Sequence, residues 1–303
     1  MSVPTAYLGV ILIWSTTPLA IKWSSEGPGF LFAATSRMII GALLCVLLAK
    51  VLGMRIHWHK SARQTYLAAS LGIYGAMLTI YWGAQYIPSG FIAVLFGLSP
   101  IVTSVLAAYF LDEGRLTIQK LSGLLLGLLG LAFIFRSSLQ FGENALWGVA
   151  AILAAVIMQA GSAIWIKHID SRLPALTVVG GGLIAVLPLY FATWWIFDGT
   201  LPETVEFRAG AAIFYLGIFG SVLGFVLYFY ILKHLRVSTI ALVTLVTPIA
   251  ALIAGESFNN EVINNEVWLG TLAIASGLVL HQWSGYRSSR RNDQELTTLD
   301  DPP

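Results

Sequence analysis

The octapeptide Leu71-Gly72-Ile73-Tyr74-Gly75-Ala76-Met77-Leu78 returns 145 residues later as Leu216-Gly217-Ile218-Phe219-Gly220-Ser221-Val222-Leu223, again inside an apolar run. Ser99-Pro100 returns as Thr247-Pro248, and thirteen residues after each proline stands a glutamate, Glu113 and then Glu261. Gly123, Gly127 and Gly130 are echoed by Gly270 and Gly277. Such a chain folds as two related units, and in lipid two facing units are the usual frame of a passage that opens to either side in turn.

Lipid is where composition puts it. With 57% hydrophobic and 11% charged residues and a mean hydropathy of +0.80, the 303-residue chain cannot coat a water-soluble globule. A spanning helix needs about 20 mostly apolar residues, and the sequence divides into ten such stretches. The first five run from Ala6 to Lys22, Phe30 to Val51, Thr65 to Ile87, Gly90 to Leu111 and Ile118 to Phe135. The second five run from Ala145 to Ile166, Ala175 to Phe197, Gly210 to Leu232, Val237 to Ser257 and Trp268 to Trp283. Long continuous runs, not short alternating ones, exclude an outer-membrane barrel. The expected fold is an all-α integral membrane protein of ten transmembrane helices in two repeats, 6–136 and 145–285, with a disordered cytoplasmic tail over 286–303.

Lysine and arginine collect in cytoplasmic loops. Of the 17, 13 fall on one side of this ten-span reading, among them Lys50, Lys60, Arg115, Lys167, Arg236 and Arg290. Lys22, Arg136 and Arg208 fall on the other, and Arg37 lies inside the second span. Both termini are then cytoplasmic, and five crossings per unit bring the second unit in from the opposite face, so the repeats are inverted. The first apolar run lacks a basic leader and a cleavage site and reads as a retained helix. Cys45 reads as packing. A net charge of +2 gives nucleic-acid binding no support.

These features resemble the EamA-like ten-helix proteins of the drug/metabolite transporter superfamily. The resemblance is carried by Trp14-Ser15 with Lys22, by Arg37, and by Pro100 with Leu111-Asp112-Glu113 ahead of a glycine-spaced fifth helix. The second unit adds Pro248, Asn260-Glu261 and Gly270, and the match runs from Ala6 to Gly285. The resemblance implies two inverted five-helix halves around a cavity lined by helices one to four and six to nine, with the fifth and tenth as peripheral braces. It also implies a substrate drawn from amino acids, metabolites, drugs or nucleotide sugars. The second copy departs from the pattern: it is one residue shorter between its glutamate and the next glycine, and Asn264-Asn265-Glu266 replaces the usual basic turn.

Candidate substrate-binding residues follow from polarity inside the spans. In helix three Tyr74, Tyr81, Trp82 and Gln85 form an aromatic and amide stripe; the last three suit either a wet cavity or an outer aromatic belt. Ser99 aligns with Thr247, and Thr244 sits one turn before Thr247. These hydroxyls either bond the carbonyls that Pro100 and Pro248 leave free or face the solute, while the prolines themselves are candidate gating hinges. Aligning Lys22 with Lys167 sets Thr17 against Ser162 and Trp14 against Gln159, polar pairs suited to a site on the symmetry axis or to satisfied helix packing. Arg37, costly to bury, needs a partner: it either neutralises an anionic substrate group or snorkels to the outer face. Glu256 is the candidate for proton coupling, against a reading as a wetted helix end.

Glu113 and Glu261 read as structural, receiving amide donors or capping the helices that follow. The glycine ladder allows close helix contact within the chain or across a homodimer. No phosphate-cradling loop, His-Glu-x-x-His or cysteine pair is present, so neither an enzyme nor a metal or other cofactor is expected. The expectation is an inner-membrane carrier that alternates access for a small organic solute and exports amino acids or related metabolites, with lipid as its other partner. The alternative is a lipid-handling or multidrug protein of the same fold.

Overall fold

A computed structural model describes residues 2–111, 118–138, 142, 144–234 and 237–280; Glu113 and the 286–303 tail lie outside the described residues. All regular structure among the described residues is helical, as hydrocarbon demands of a backbone with no water to bond. Among the described residues, six helical stretches are long and apolar enough to cross a membrane: Val3–Ser25, Phe30–Val51, Ser89–Phe110, Ala145–Ile169, Ala175–Phe197 and Phe207–Tyr228. Shorter apolar helices cover Leu121–Ser137, Val243–Asn259 and Asn265–Leu280.

In chain order the helices are α1 (Val3–Ser25), α2 (Phe30–Val51), α3 (Lys60–Ser70), α4 (Met77–Gly83), α5 (Ser89–Phe96), α6 (Ser99–Phe110) and α7 (Ile118–Ser138). The second unit has α8 (Ala145–Ile169), α9 (Ala175–Phe197), α10 (Phe207–Tyr215), α11 (Gly224–His234), α12 (Val237–Asn259) and α13 (Asn265–Leu280). The third expected span begins at Lys60, five residues early, and its helix ends at Gly83 before a turn through Gln85.

The repeated octapeptide takes the same unusual conformation twice. Leu71–Ala76 joins α3 to α4 as a π-helix, and Leu216–Leu223 joins α10 to α11 as another. A π-turn widens the helix and loosens its carbonyl ladder, a device found often at functional sites. Side chains take up the slack: Ser221 Oγ donates to the Leu216 carbonyl at 3.0 Å, and Tyr190 OH donates to the Ile73 carbonyl at 2.7 Å.

The two prolines differ. Pro100 occupies the second residue of α6, after a break at Gly97-Leu98, where no amide hydrogen is required. Pro248 lies inside the continuous helix α12. The two repeat-equivalent prolines are therefore not equivalent in their helices, because Gly97 ends α5 before Pro100.

Packing between the units is reciprocal. α1 lies against α11 and α12, as α8 lies against the Leu71–Ala76 turn, α4 and α6; α2 packs on α9, α5 on α12, and α3 on α9 as Leu216–Leu223 packs on α2. The glycine ladder states the symmetry most directly. A Cβ at Gly130 would stand 2.5 Å from the Gly270 carbonyl oxygen, and one at Gly277 would stand 2.6 Å from that of Gly123. Each contact is the other with repeat-equivalent residues exchanged, and α7 and α13 therefore run in opposite directions. Close approach uses these glycines within the chain.

Candidate functional site

α2 carries Arg37 about 10 Å in from its start at Phe30, at 1.5 Å per residue. The side chain is 3% exposed. Its Nε donates to Ser221 Oγ at 3.0 Å, its Cζ stands 6.0 Å from the centre of the Tyr81 ring, and Nη1 is buried with no partner. A Cβ on Gly220 would sit 3.2 Å from Arg37 Nη2 and 3.7 Å from Thr17 Oγ1, so both side chains flank Gly220; the Thr17 hydroxyl donates to the Ile13 carbonyl at 2.6 Å. Tyr81 is fully buried and its hydroxyl also lacks a partner. Among the described residues no carboxylate lies within 4.0 Å of Arg37. A desolvated guanidinium with open donors and no counter-charge is an anion site by electrostatics.

Ser221 escaped sequence reasoning, although a signal was present: the repeat substitutes it for Ala76, the one place where the second copy of the octapeptide gains a polar group. Arg37 is likewise single-copy, since the residue 145 positions on is Gly182. There the absent side chain lets Ile73 and Ala69 close in.

On the other unit, Gln159 Oε1 is buried and unpartnered, 2.9 Å from where a Cβ would stand on Gly72. Ser162, one turn away, donates to the Ala68 carbonyl at 2.8 Å, which leaves it a packing role. Tyr74 donates to Thr193 Oγ1 at 2.6 Å, since that hydroxyl itself donates to the Leu189 carbonyl, and meets the Tyr190 ring edge-on at 5.1 Å.

Other predicted residues sit elsewhere. Trp14 packs on Tyr228, ring centres 5.1 Å apart, in a small apolar cluster with Val10 and Ile231. Thr244 lines a narrow gap with Pro248 and Thr271 between α5, α12 and α13. Ser99 and Thr247 are half-buried. Gln85 is exposed and donates to the Trp82 carbonyl at 3.2 Å, and Trp82 meets Tyr86 edge-on, the arrangement of a belt. Glu256 is exposed near the end of α12.

Of the two structural readings of Glu261, receiving amide donors is the one the hydrogen bonds match; the helix it caps is not the one that follows it. Its carboxylate receives the first turn of α5, in the other unit: Oε1 accepts the Ser89 amide at 2.9 Å, and Oε2 accepts Ser89 Oγ at 3.0 Å and the Gly90 amide at 3.3 Å. The partial positive charge of a helix start suits a carboxylate. Asn259 Nδ2 adds a bond at 3.0 Å, and Lys22 Nζ lies 3.9 Å away while donating to the Ile87 carbonyl at 3.1 Å. Trp23 Nε1 donates to Asn259 Oδ1 at 2.9 Å, and Arg208 lies over Trp23 while pairing with Glu26. The network closes this end of the bundle across both units.

The model of the EamA-like transporter family matches residues 3–136 and again 146–281. The chain is 28% identical over 286 residues to the uncharacterized transporter YoaV of Bacillus subtilis, covering 91% of this chain and 95% of that one. It is 27% identical to a probable terminal-alkyne amino-acid exporter of Streptantibioticus cattleyicolor, covering 89% and 86%. It is 24% identical to the uncharacterized inner membrane transporter YedA of Escherichia coli, covering 91% and 89%. A solved crystal structure at 18% identity superposes with a TM-score of 0.66 over 94% of this chain and 98% of that one; it shows the fold alone.

Proposed function

We propose, starting from the finding that this chain belongs to the EamA-like transporter family, that it carries a small organic solute by alternating access and exports amino acids or related metabolites. The observation that carries this reading is the polar centre around Arg37, where donors without partners lie at full burial between α1, α2, α4 and the Leu216–Leu223 turn. Structural charges are normally satisfied, whereas a binding site keeps donors for its ligand. The relative named as an amino-acid exporter supports the solute class.

In this reading α3 with α4, α5 with α6, and α10 with α11 each make one span, giving ten in two inverted halves. The antiparallel glycine crossing of α7 and α13 supports the inversion. The bundle sits in the inner membrane with both termini cytoplasmic, which puts the Glu261 network at the outer mouth. Arg37, Tyr81 and Thr17 hold the solute, Gln159 and Tyr74 line its route, and the break before Pro100 lets α5 and α6 move separately while Pro248 flexes α12. No step is routed through exposed Glu256.

The test is counterflow in reconstituted vesicles preloaded with a mixture of amino acids, with labelled amino acids outside. Uptake above protein-free vesicles is expected for at least one of them. If no amino acid, amine, sugar or drug exchanges, the carrier reading is wrong.

A further inference from the structure

We infer that the solute carries a single carboxylate, which docks on Arg37 and Tyr81, a proposal that rests on the carrier reading and names the chemical group the site serves. The site provides one full positive charge. Its only hydrogen bond among the described residues runs through Nε to the neutral hydroxyl of Ser221, which fixes the plane of the guanidinium and leaves Nη1 unspent. The Tyr81 ring supports the group from 6.0 Å, and the unpartnered Tyr81 hydroxyl is a further buried donor. Two or three donors around one charge match the two oxygens of a carboxylate.

Charge bookkeeping narrows the class. The described acids Glu26, Asp170, Asp198, Glu203, Glu206, Glu256, Glu261 and Glu266 all stand in loops or within a turn of a helix end, so none neutralises Arg37 at depth. A cation would meet uncompensated repulsion in a low dielectric. A dianionic phosphate would leave one negative charge buried without a partner. A carboxylate leaves the site neutral. Because Gly182 occupies the equivalent position in the second unit, the site occurs once per chain, and one acid is carried per cycle.

The experiment is a thermal-stability panel on the purified full chain in detergent. Each L-amino acid is paired with its C-terminal amide and with the primary amine lacking the carboxyl group, and sodium chloride serves as the inorganic-anion arm. A ligand that prefers the folded state raises the melting temperature. At least one acid is expected to do so while its amide and amine do not. Arg37→Gln is expected to abolish the shift, and Arg37→Lys, which keeps the charge and loses the planar match, to weaken binding about tenfold or more. Should Arg37→Gln fail to fold, Tyr81→Phe, which removes one oxygen, is expected to weaken acid binding about tenfold.

An amide or amine that stabilises as well as its acid overturns the proposal. So does chloride matching the acids, or a folded Arg37→Gln protein that keeps the shift. If amines or neutral solutes exchange in vesicles while no acid binds, the carboxylate assignment fails and the carrier reading stands. If nothing exchanges, both fail.

Discussion

The Glu261 carboxylate accepts the Ser89 amide at 2.9 Å across 172 residues of sequence, tying the last described loop of the second unit to the first turn of α5 in the first. With 5% of its side chain exposed, the carboxylate does this largely out of water, where a helix-start cap is worth more than at a surface. Glu261→Ala is expected to lower stability by about 1–2 kcal/mol, the range of a lost cap, with Glu261→Gln closer to wild type because it keeps an acceptor. Melting in detergent measures it. Equal melting of all three proteins would remove the cap from the account.

Ser221 holds Arg37 through Nε, and its replacement should act on binding more than on folding. In Ser221→Ala the guanidinium loses its anchor, and the apparent affinity in counterflow is expected to fall about tenfold, the worth of one hydrogen bond to a charged group. A melting loss with unchanged affinity would make Ser221 a structural residue.

Gln159 offers the opposite test. Its buried Oε1 has no partner, so Gln159→Leu removes an unsatisfied polar group and leaves stability unchanged or slightly higher. Transport is expected to fall if the amide meets solute on its route. Stable protein with full counterflow would strike Gln159 from the pathway.

At the α7–α13 crossing no side chain fits. Gly130→Val sets a branched side chain against the Gly270 backbone and Ile274, and overpacking of this kind costs about 1–3 kcal/mol. Gly277→Val meets the repeat-equivalent surface, the Gly123 carbonyl and the Gly127 backbone, and is expected to cost a similar amount. Melting of the two proteins compares them, and a large difference would count against the reciprocal packing.

Much of the architecture was legible in the residues. Apolar length gave the helices, the double octapeptide gave two units, and the glycine echo identified a close crossing. The polar candidates were legible as types and poorly legible as places: Arg37 and Tyr81 come together, while Gln85 ends on the surface and Thr17 and Ser162 both donate their hydroxyls to backbone carbonyls. Ser221, and the Ser89 and Gly90 partners of Glu261, were not legible because each depends on a contact with the other unit.

The sequence by itself determined that this chain is helical, lives in lipid and is built twice, because hydrocarbon allows few backbone solutions and repetition is visible letter by letter. Only the tertiary structure decided which face of each helix turns inward. These helices are apolar nearly all round, so hydropathy does not encode their rotation, and it is rotation and register that set Arg37 on Ser221 and Glu261 on the start of α5.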